Sequence, residues 1–429
     1  MITQTDSSSL AADSRPPSVF GLAGLPYFVI AFLARMPFAM MVVGVLTLAV
    51  AGRGSLSLGG LTSAAVGIGT ACFGPLLGAA ADRFGQRRVL LVLAVANPTA
   101  LGLFVSAVYL GVPEALLLAS AFAIGATAPQ VAPLSRSRLV TLIGERVPEE
   151  RRARSVSSTM AYESAADETV FIIGPFLVGL LASFIAPWAP LAIGAALTVL
   201  SVGAFALHPS AAHVSRERTE DGRAPSSARE LFRPRLLVVV LGIFGVGLFF
   251  GTMLTSLTAF MTERGDPEAA GLLYGVMGIG SAVLALGVVL LPARFSLRAR
   301  WLVFAGILLG GALILLTVSD VAGMVLALAV MGIGIGPTLV TQYSFGAALS
   351  PAGRSATVMT MLGSAVIVGQ AVGAAVTGNV AQEIGIATAL LLPIVAAAVV
   401  VAAGIANALV NRGARGPRRS ARGGVAALS

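Results

Sequence analysis

Hydrophobic residues run through this chain in long stretches that short polar segments interrupt. Each stretch is close to the ~20 apolar residues that cross a bilayer as a helix. The pattern therefore predicts an all-α integral membrane protein with twelve transmembrane helices. The predicted spans lie at roughly 21–50, 56–79, 88–110, 114–134, 157–185, 188–207, 236–260, 269–292, 301–319, 321–345, 355–379 and 384–410.

Two hydrophilic connections, 135–156 and 208–235, are longer than the others. The second lies near the midpoint and divides the chain into six spans plus six. We expect a cytoplasmic N-terminal segment at 1–20, a six-helix bundle at 21–207, a central cytoplasmic loop at 208–235 and a second six-helix bundle at 236–410. The tail at 411–429 is rich in Arg and Gly and is predicted to be disordered.

The amino-acid composition excludes several classes of protein and kinds of site. Of 429 residues, 57% are hydrophobic and 11% are charged, against about 25% charged in soluble domains, which excludes soluble enzymes and nucleic-acid binders. One cysteine, Cys72, and two histidines predict no disulfide and no metal site. The chain has no lysine and so no ATP-binding G-x-x-x-x-G-K-[ST] motif. We expect no cofactor and no enzymatic activity.

The arginines predict the orientation. All 28 basic residues are arginine, and with the N-terminus inside, 25 of them fall in cytoplasmic segments. Only Arg53 and Arg264 lie outside, and Arg35 lies within span 1. Because basic loops stay on the cytoplasmic side, both termini are predicted to be cytoplasmic in the inner (plasma) membrane.

The two halves of the chain share an internal repeat. A shift of 211 residues places Gly67-Ile68-Gly69 of span 2 on Gly278-Ile279-Gly280 of span 8 and Arg83 on Arg294. Two parallel six-helix halves are typical of transporters that bind substrate between the halves near the membrane midplane.

The loop between spans 2 and 3 carries the most specific motif, Gly78-Ala-Ala-Ala-Asp82-Arg83-Phe84-Gly85-Gln86-Arg87-Arg88. It resembles the cytoplasmic signature of the major facilitator superfamily, G-x-x-x-D-R-x-G-[RK]-[RK]. With the twelve spans, the midpoint loop and the repeat, the resemblance extends over the whole chain. It implies a monomeric secondary transporter in which two bundles rock about a central site.

The resemblance also implies a conformational latch that holds the outward-open state, formed by Gly78, Asp82, Arg83, Gly85 and Arg87. The Asp82 carboxylate can meet a helix N-terminus of the opposite half, Gly78 allows close helix approach and Gly85 a tight turn. The arginines could instead be simple positive-inside anchors. The second half has Ala293 at the position of Asp82, so its latch is expected to be weaker.

Span 5 holds three acids, Glu163, Asp167 and Glu168, and span 1 holds Arg35. Glu163 and Asp167 are four residues apart and share a helix face. By helical rise, Asp167 lies about 17 Å and Arg35 about 21 Å from the cytoplasmic ends of their spans. We therefore expect Arg35 to pair with Asp167 or Glu168. Such deep ionisable groups form a structural salt bridge or a site of proton or substrate coupling.

Three carboxylates facing one arginine leave negative charge uncompensated, so at least one carboxyl is expected to bind a proton near neutral pH. The predicted coupling residues are Arg35, Glu163, Asp167 and Glu168. Arg136 and Arg138 are expected near the cytoplasmic end of span 4, away from them. Gly174-Pro175 in span 5 partly resembles the G-P-x-x-G-G antiporter signature of this superfamily, although a proline kink is the alternative interpretation.

By the same resemblance, spans 1, 4, 7 and 10 line the substrate cavity. Pro129 of span 4 and Pro337 of span 10 occupy corresponding positions and predict broken helices there. Spans 7 to 12 hold no charged residue in their apolar regions. A cavity wall formed by these spans suits an amphiphilic substrate better than a sugar. The predicted cavity residues are Thr127, Gln130, Thr252, Thr255, Gln342, Tyr343 and Gln370.

Together these features predict a secondary transporter that exports small amphiphilic compounds in exchange for protons, with the lipid bilayer as its surroundings and no nucleic-acid partner. One alternative is an importer or facilitator of a small metabolite. An alternative of a different class is a membrane sensor or partner-binding protein that transports nothing.

The orientation is directly testable. In a Cys72→Ala background, a cysteine introduced at Ser226 or Ala414 should resist an impermeant thiol reagent in intact cells, because both positions are predicted to be cytoplasmic. The same cysteines should react after permeabilisation. Efficient labelling of either one in intact cells would contradict the predicted topology.

Overall fold

The computed structural model describes residues 21, 23–211, 226–265, 269–292 and 294–410. Within these ranges, twelve helical segments are long and apolar enough to cross a membrane, which confirms the predicted number of spans. The segment 1–20, most of the central loop, Ala293 and the tail 411–429 lie outside the described residues.

Four of the twelve spans consist of more than one helix. The helices, in order of span, are Leu25–Leu33 and Met36–Arg53 (span 1), Leu56–Phe84 (2), Gln86–Tyr109 (3), Glu114–Ala126 and Val131–Arg146 (4), Glu149–Phe184 (5), Ala189–Leu197 and Gly203–Leu207, joined by a π-helical turn at Thr198–Val202 (6), Pro234–Glu263 (7), Ala269–Gly287 (8), Leu297–Ile314 (9), Val321–Leu349 (10), Ser355–Glu383 (11), and Ile386–Ala389 with Leu392–Val410 (12).

Large apolar side chains cover the outside of the bundle. Phe184 is 81% exposed, Leu272 79% and Leu290 87%. Exposure of this kind is unfavourable in water, but in a bilayer these side chains meet acyl chains. The lipid offers no hydrogen-bond partners to the backbone, and helices satisfy their backbone groups internally.

The two halves have separate cores that meet at a seam. The core of the second half centres on Trp301, which is fully buried and donates from Nε1 to the carbonyl oxygen of Val400 (3.2 Å). Met160 and Ala161 of span 5 pack into this same cluster. Span 5, which belongs to the first half, therefore forms part of the contact between the halves.

Glycines bring several helices to backbone contact. A Cβ on Gly125 of span 4 would collide with the carbonyl oxygen of Val66 in span 2. A Cβ on Gly251 of span 7 would collide with the carbonyl oxygen of Gln370 in span 11. Membrane helices associate through small residues because burial of apolar surface gives no net driving force in lipid.

Proline has different effects in spans 4 and 10. Span 4 is interrupted between Ala126 and Val131, around Pro129, as predicted. Span 10 runs as one helix from Val321 to Leu349 through Pro337, so the predicted break there is wrong. A proline removes one backbone hydrogen bond, and packed neighbours allow a membrane helix to continue through it.

The glycine contacts predict a specific loss of stability. Gly125→Leu should lower the free energy of unfolding by about 1–3 kcal/mol, because the added side chain has no space against Val66. Gly102→Leu is the matched control, since nothing lies within 4 Å of a Cβ at that position. Thermal unfolding of the two purified variants, followed by size-exclusion chromatography, compares them. Equal melting temperatures would contradict the close approach of spans 2 and 4.

Candidate functional site

One end of the bundle carries Arg83, Arg87, Arg88, Arg300 and Arg354, and we call it the arginine-rich end. Asp82 closes it by bonding to the opposite half. Its Oδ1 accepts from the backbone N–H of Ala356 (3.1 Å), and its Oδ2 accepts from the N–H (2.7 Å) and the hydroxyl (2.5 Å) of Thr357. These donors belong to the first turn of span 11, where backbone N–H groups lack helical partners and the helix dipole favours an anion.

The glycines of the motif have the conformations that were expected. A Cβ on Gly78 would collide with Thr360 and lie 2.8 Å from the carbonyl oxygen of Ala356. Gly85 has φ +89°, in the region that glycine favours. Arg83 and Arg87 are exposed, and Arg83 stacks on its neighbour Phe84. Among these five motif residues, Asp82 is thus the one that bonds across the seam, and the role of the two arginines stays a prediction.

A different contact joins the start of span 9 in the second half to span 5. Arg300, at the start of span 9, donates from Nη1 to the hydroxyl of Ser157 in span 5 (3.2 Å). Its Nε donates to the carbonyl oxygen of Phe295 (2.8 Å). Because Ala293, at the position of Asp82, lies outside the described residues, the expected weaker latch of the second half stays a prediction.

Arg35 lies between the two helices of span 1 and reaches the acids of span 5. Its Nη2 donates to Oε2 of Glu163, and its Nε lies 3.0 Å from Oδ1 of Asp167. The remaining nitrogen, Nη1, donates to the carbonyl oxygen of Ala31 (3.1 Å). Arg35 therefore pairs with Asp167, one of its two expected partners, and also with Glu163 on the same helix face.

Arg136 completes this group, contrary to expectation. Its Nη2 donates to Oδ2 of Asp167 (2.6 Å), and its guanidinium carbon lies 3.9 Å from the ring centre of Tyr343. The predicted polar loop at 135–156 is largely helical, since the second helix of span 4 continues to Arg146. Arg136 thus lies about 15 Å inside its helix instead of near the end of the span.

The four residues form a buried cluster without net charge. Two arginines face two carboxylates, and Glu168 bonds elsewhere, so the predicted grouping of three carboxylates around one arginine is wrong. The side chains of Arg35, Arg136 and Glu163 are at most 3% exposed, whereas that of Asp167 is 21% exposed. Asp167 is the most exposed member of the cluster.

Hydroxyl groups extend the cluster toward the arginine-rich end. The Ser135 hydroxyl donates to Oε1 of Glu163 (2.9 Å) and lies 2.8 Å from the Tyr27 hydroxyl. Neither Ser135 nor Tyr27 was predicted as part of the site. Ser135 was assigned to the polar loop at 135–156. Next to Tyr27, beyond span 6, burial and the nearby Arg138 guanidinium lower the pKa of His208.

Glu168 points away from the arginines. Its Oε1 accepts from the hydroxyl of Ser281 in span 8 (2.5 Å), and its buried Oε2 has no hydrogen-bond partner among the described residues. Consecutive helical residues differ by about 100° in direction, which explains why Glu168 cannot share the partner of Asp167. Gly336 of span 10 makes room for Ser281, because a Cβ there would collide with the Ser281 carbonyl oxygen.

The predicted cavity residues do not form one group. The hydroxyls of Thr127 and Thr252 donate to carbonyl oxygens of their own helices, and Gln130 donates to the carbonyl oxygen of Ala128. Thr255 is half-buried, and Gln370 is exposed. As substrate contacts these residues stay predictions.

Gln342 and Tyr343 lie in different surroundings although they are neighbours. Gln342 is fully buried inside the second half, and its amide nitrogen and oxygen have no partner among the described residues. Tyr343 faces the first half and contacts Arg136. Of the predicted cavity residues, Tyr343 is the one that joins the ionic cluster.

Comparison with known proteins assigns the family. The sequence matches the Major Facilitator Superfamily over residues 27–374. The chain is a member of this superfamily. It is therefore a multi-pass membrane protein of a family of transporters that bind small-molecule substrates and often use protons. A comparison with curated protein sequences finds no significant match.

Solved structures of this superfamily share the fold. A human organic anion transporter (TETRAN) superimposes with a TM-score of 0.67 at 19% identity, over 89% of this chain and 97% of that chain. A bacterial homologue of the iron transporter ferroportin, outward-facing and soaked with iron, gives 0.69 at 14% identity, over 89% and 98%. A variant of the E. coli fucose:proton symporter FucP gives 0.63 at 16% identity, over 89% and 99%. They confirm the twelve-helix fold.

The bonds of Asp82 to span 11 should determine how readily the arginine-rich end opens. Asp82→Asn keeps the size of the side chain but removes the charge that caps span 11, so the closed-to-open ratio should fall at least tenfold, about 1.4 kcal/mol. Spin labels on Ala153→Cys and Ala352→Cys, one in each half, report the opening as a longer distance in a Cys72→Ala background.

Asp320→Asn is the matched control for this experiment. Asp320 also caps a helix, since its Oδ1 accepts from the N–H of Gly323 (2.7 Å), but both residues belong to the second half. The control should leave the distance between the spin labels unchanged. An unchanged distance in Asp82→Asn as well would show that Asp82 is not a latch.

Proposed function

We propose that this protein is a proton-coupled exporter of small amphiphilic compounds in the inner (plasma) membrane. The observation that carries the proposal is the buried cluster of Arg35, Arg136, Glu163 and Asp167, with the unpaired Glu168 beside it at the seam. A cluster that is neutral only while both carboxyls are ionised changes its net charge when a proton binds. That change provides the coupling.

Because an uncompensated buried charge is unfavourable, binding of a proton changes the relative stability of the two conformations. If Asp167 binds a proton, two buried guanidinium groups face a single carboxylate. An uncompensated buried ion costs several kcal/mol, and the cost falls when the halves move and water enters. Proton binding and the exchange of conformations are then linked.

Glu168 is the second proton-binding group in this proposal. It has a hydroxyl partner and no cation within salt-bridge distance among the described residues. A carboxyl in such a position is neutral at lower cost than it is charged. Because Ser281 belongs to the opposite half, the bond between them breaks when the seam of spans 5 and 8 opens.

The proposed direction follows from the closed end. If the arginine-rich end is cytoplasmic, the described conformation is closed toward the cytoplasm, and Asp167 takes its proton from outside. The subsequent change opens the arginine-rich end, where the proton leaves and a compound from the cytoplasm binds. The partial antiporter signature at Gly174-Pro175 favours this exchange over uptake.

The proposed substrate class follows from the residues that are predicted to line the substrate cavity. The predicted cavity hydroxyls of Thr127 and Thr252 are bonded to their own backbones, and Gln342 is buried within the second half. Few polar groups remain to bind the hydroxyls of a sugar, whose desolvation would be uncompensated. An apolar molecule with one polar or charged group fits such walls.

Everted membrane vesicles test the function. Vesicles with an acidic lumen should accumulate ethidium, an amphiphilic cation, or fluorescein, an amphiphilic anion, and a protonophore should abolish the accumulation. An importer would instead concentrate the compound in right-side-out vesicles with an acidic exterior. Transport of both dyes without dependence on the pH gradient would contradict proton coupling.

Glu168→Gln tests the second proton-binding group. The variant leaves the four-residue cluster intact and should fold normally, retain exchange of dye at equal pH and lose at least tenfold of the accumulation driven by the pH gradient. Glu383→Gln, at an exposed acid at the far end of span 11, is the matched control. Accumulation at the rate of the unmodified protein in Glu168→Gln would exclude Glu168 from coupling.

A further inference from the structure

Arg136 contacts both halves of the protein at once. Within the first half it bonds to Asp167 of span 5 (2.6 Å), and its guanidinium lies over the ring of Tyr343 in span 10 of the second half, 3.9 Å from the ring centre. Both partners of the stack are buried, with Arg136 2% and Tyr343 5% exposed. The contact thus lies at the seam, one ion pair away from the most exposed member of the cluster.

We propose that the stack of Arg136 on Tyr343 transmits the protonation state of Asp167 to the second half and thereby determines how readily the arginine-rich end opens. The inference rests on the proposed proton coupling. It assigns Arg136 and Tyr343 as residues that act through Asp167, and it gives Tyr343 a role other than contact with substrate.

The energies of the two contacts of Arg136 explain the transmission. While Asp167 is ionised, Arg136 has a carboxylate on one side and an aromatic face on the other. When a proton binds Asp167, the ion pair becomes a hydrogen bond to a neutral carboxyl. A cation–π contact stabilises a buried cation by less than the loss of its ionic partner costs. Water reaches the guanidinium if spans 4 and 10 separate, so protonation favours opening.

Among the charged groups around Asp167, Arg136 is the one that can transmit the protonation state of Asp167 to the second half. Span 1 presents Arg35, which stays paired with Glu163 inside the first half. Span 5 presents Glu163, which is fully buried, and Glu168, which faces Ser281. Span 10 presents Tyr343. Of the two cations that lose an ionic contact, Arg136 is the one that stacks on the other half.

The chemistry of the stack suggests discriminating substitutions. Tyr343→Phe keeps the aromatic face, whereas Tyr343→Leu keeps an apolar side chain without it. Arg136→Lys keeps the positive charge for Asp167 but loses the planar group that stacks on a ring. A role in packing alone would not separate Phe from Leu in their response to pH.

The distance between spin labels on Ala153→Cys and Ala352→Cys, measured at about pH 8 and about pH 5.5 to cover the titration of a buried carboxyl, provides the readout. The labelled parent protein and Tyr343→Phe should both gain at least threefold in the open fraction on acidification. Tyr343→Leu and Arg136→Lys should gain less than a third of that increase. No substrate is needed for this measurement.

The possible outcomes separate this inference from the proposed function. A full response to acid in Tyr343→Leu would overturn the inference and leave proton coupling in place. No response in the parent protein, together with dye accumulation driven by the pH gradient, would do the same. No response and no such accumulation would overturn both. If Arg136→Lys does not fold, as size-exclusion chromatography will show, the Tyr343 pair decides alone.

Discussion

A charged group inside a membrane protein must be neutralised by a partner, because the hydrocarbon around it offers neither water nor counterions. In this protein that constraint acts on Arg35 and Arg136, which are almost inaccessible to solvent. Each is satisfied only where span 5 brings Glu163 and Asp167 to it. The relative placement of spans 1, 4 and 5 follows from this requirement, and the first half is organised around a neutral group of four ions.

The backbone accommodates the cluster at the two breaks of the first half. Arg35 lies between the helices of span 1, and the interruption around Pro129 precedes the helix that carries Arg136. Close packing compensates for these interruptions nearby, since Gly174 of span 5 allows Ala39 of span 1 to approach. Helix breaks are tolerated in a bilayer where they are buried in protein, and here they are buried beside the charges.

Polar contacts of different strength cross the seam between the halves, and three of them involve ionisable residues of the first half. Asp82 caps span 11 with three hydrogen bonds, Glu168 bonds to Ser281, and Arg136 stacks on Tyr343. The first is made by a carboxylate that caps a helix at the arginine-rich end, whereas the other two involve carboxyls deeper in the bundle. A closed end held by a helix cap, beside contacts of buried carboxyls, agrees with the proposed coupled transport.

Hydropathy determined the class and the twelve spans, and the local sequence determined the motif at Asp82, because apolar length and local turn chemistry are properties of consecutive residues. The shared face of Glu163 and Asp167 followed from helical periodicity in the same way. The membership of Arg136 in the cluster and the contact of Glu168 with Ser281 did not, since the arginines at 136 and 138 gave the segment after span 4 the appearance of a loop, whereas the helix continues to Arg146. Pairing between distant spans depends on how the helices pack, and that was decided by the tertiary structure.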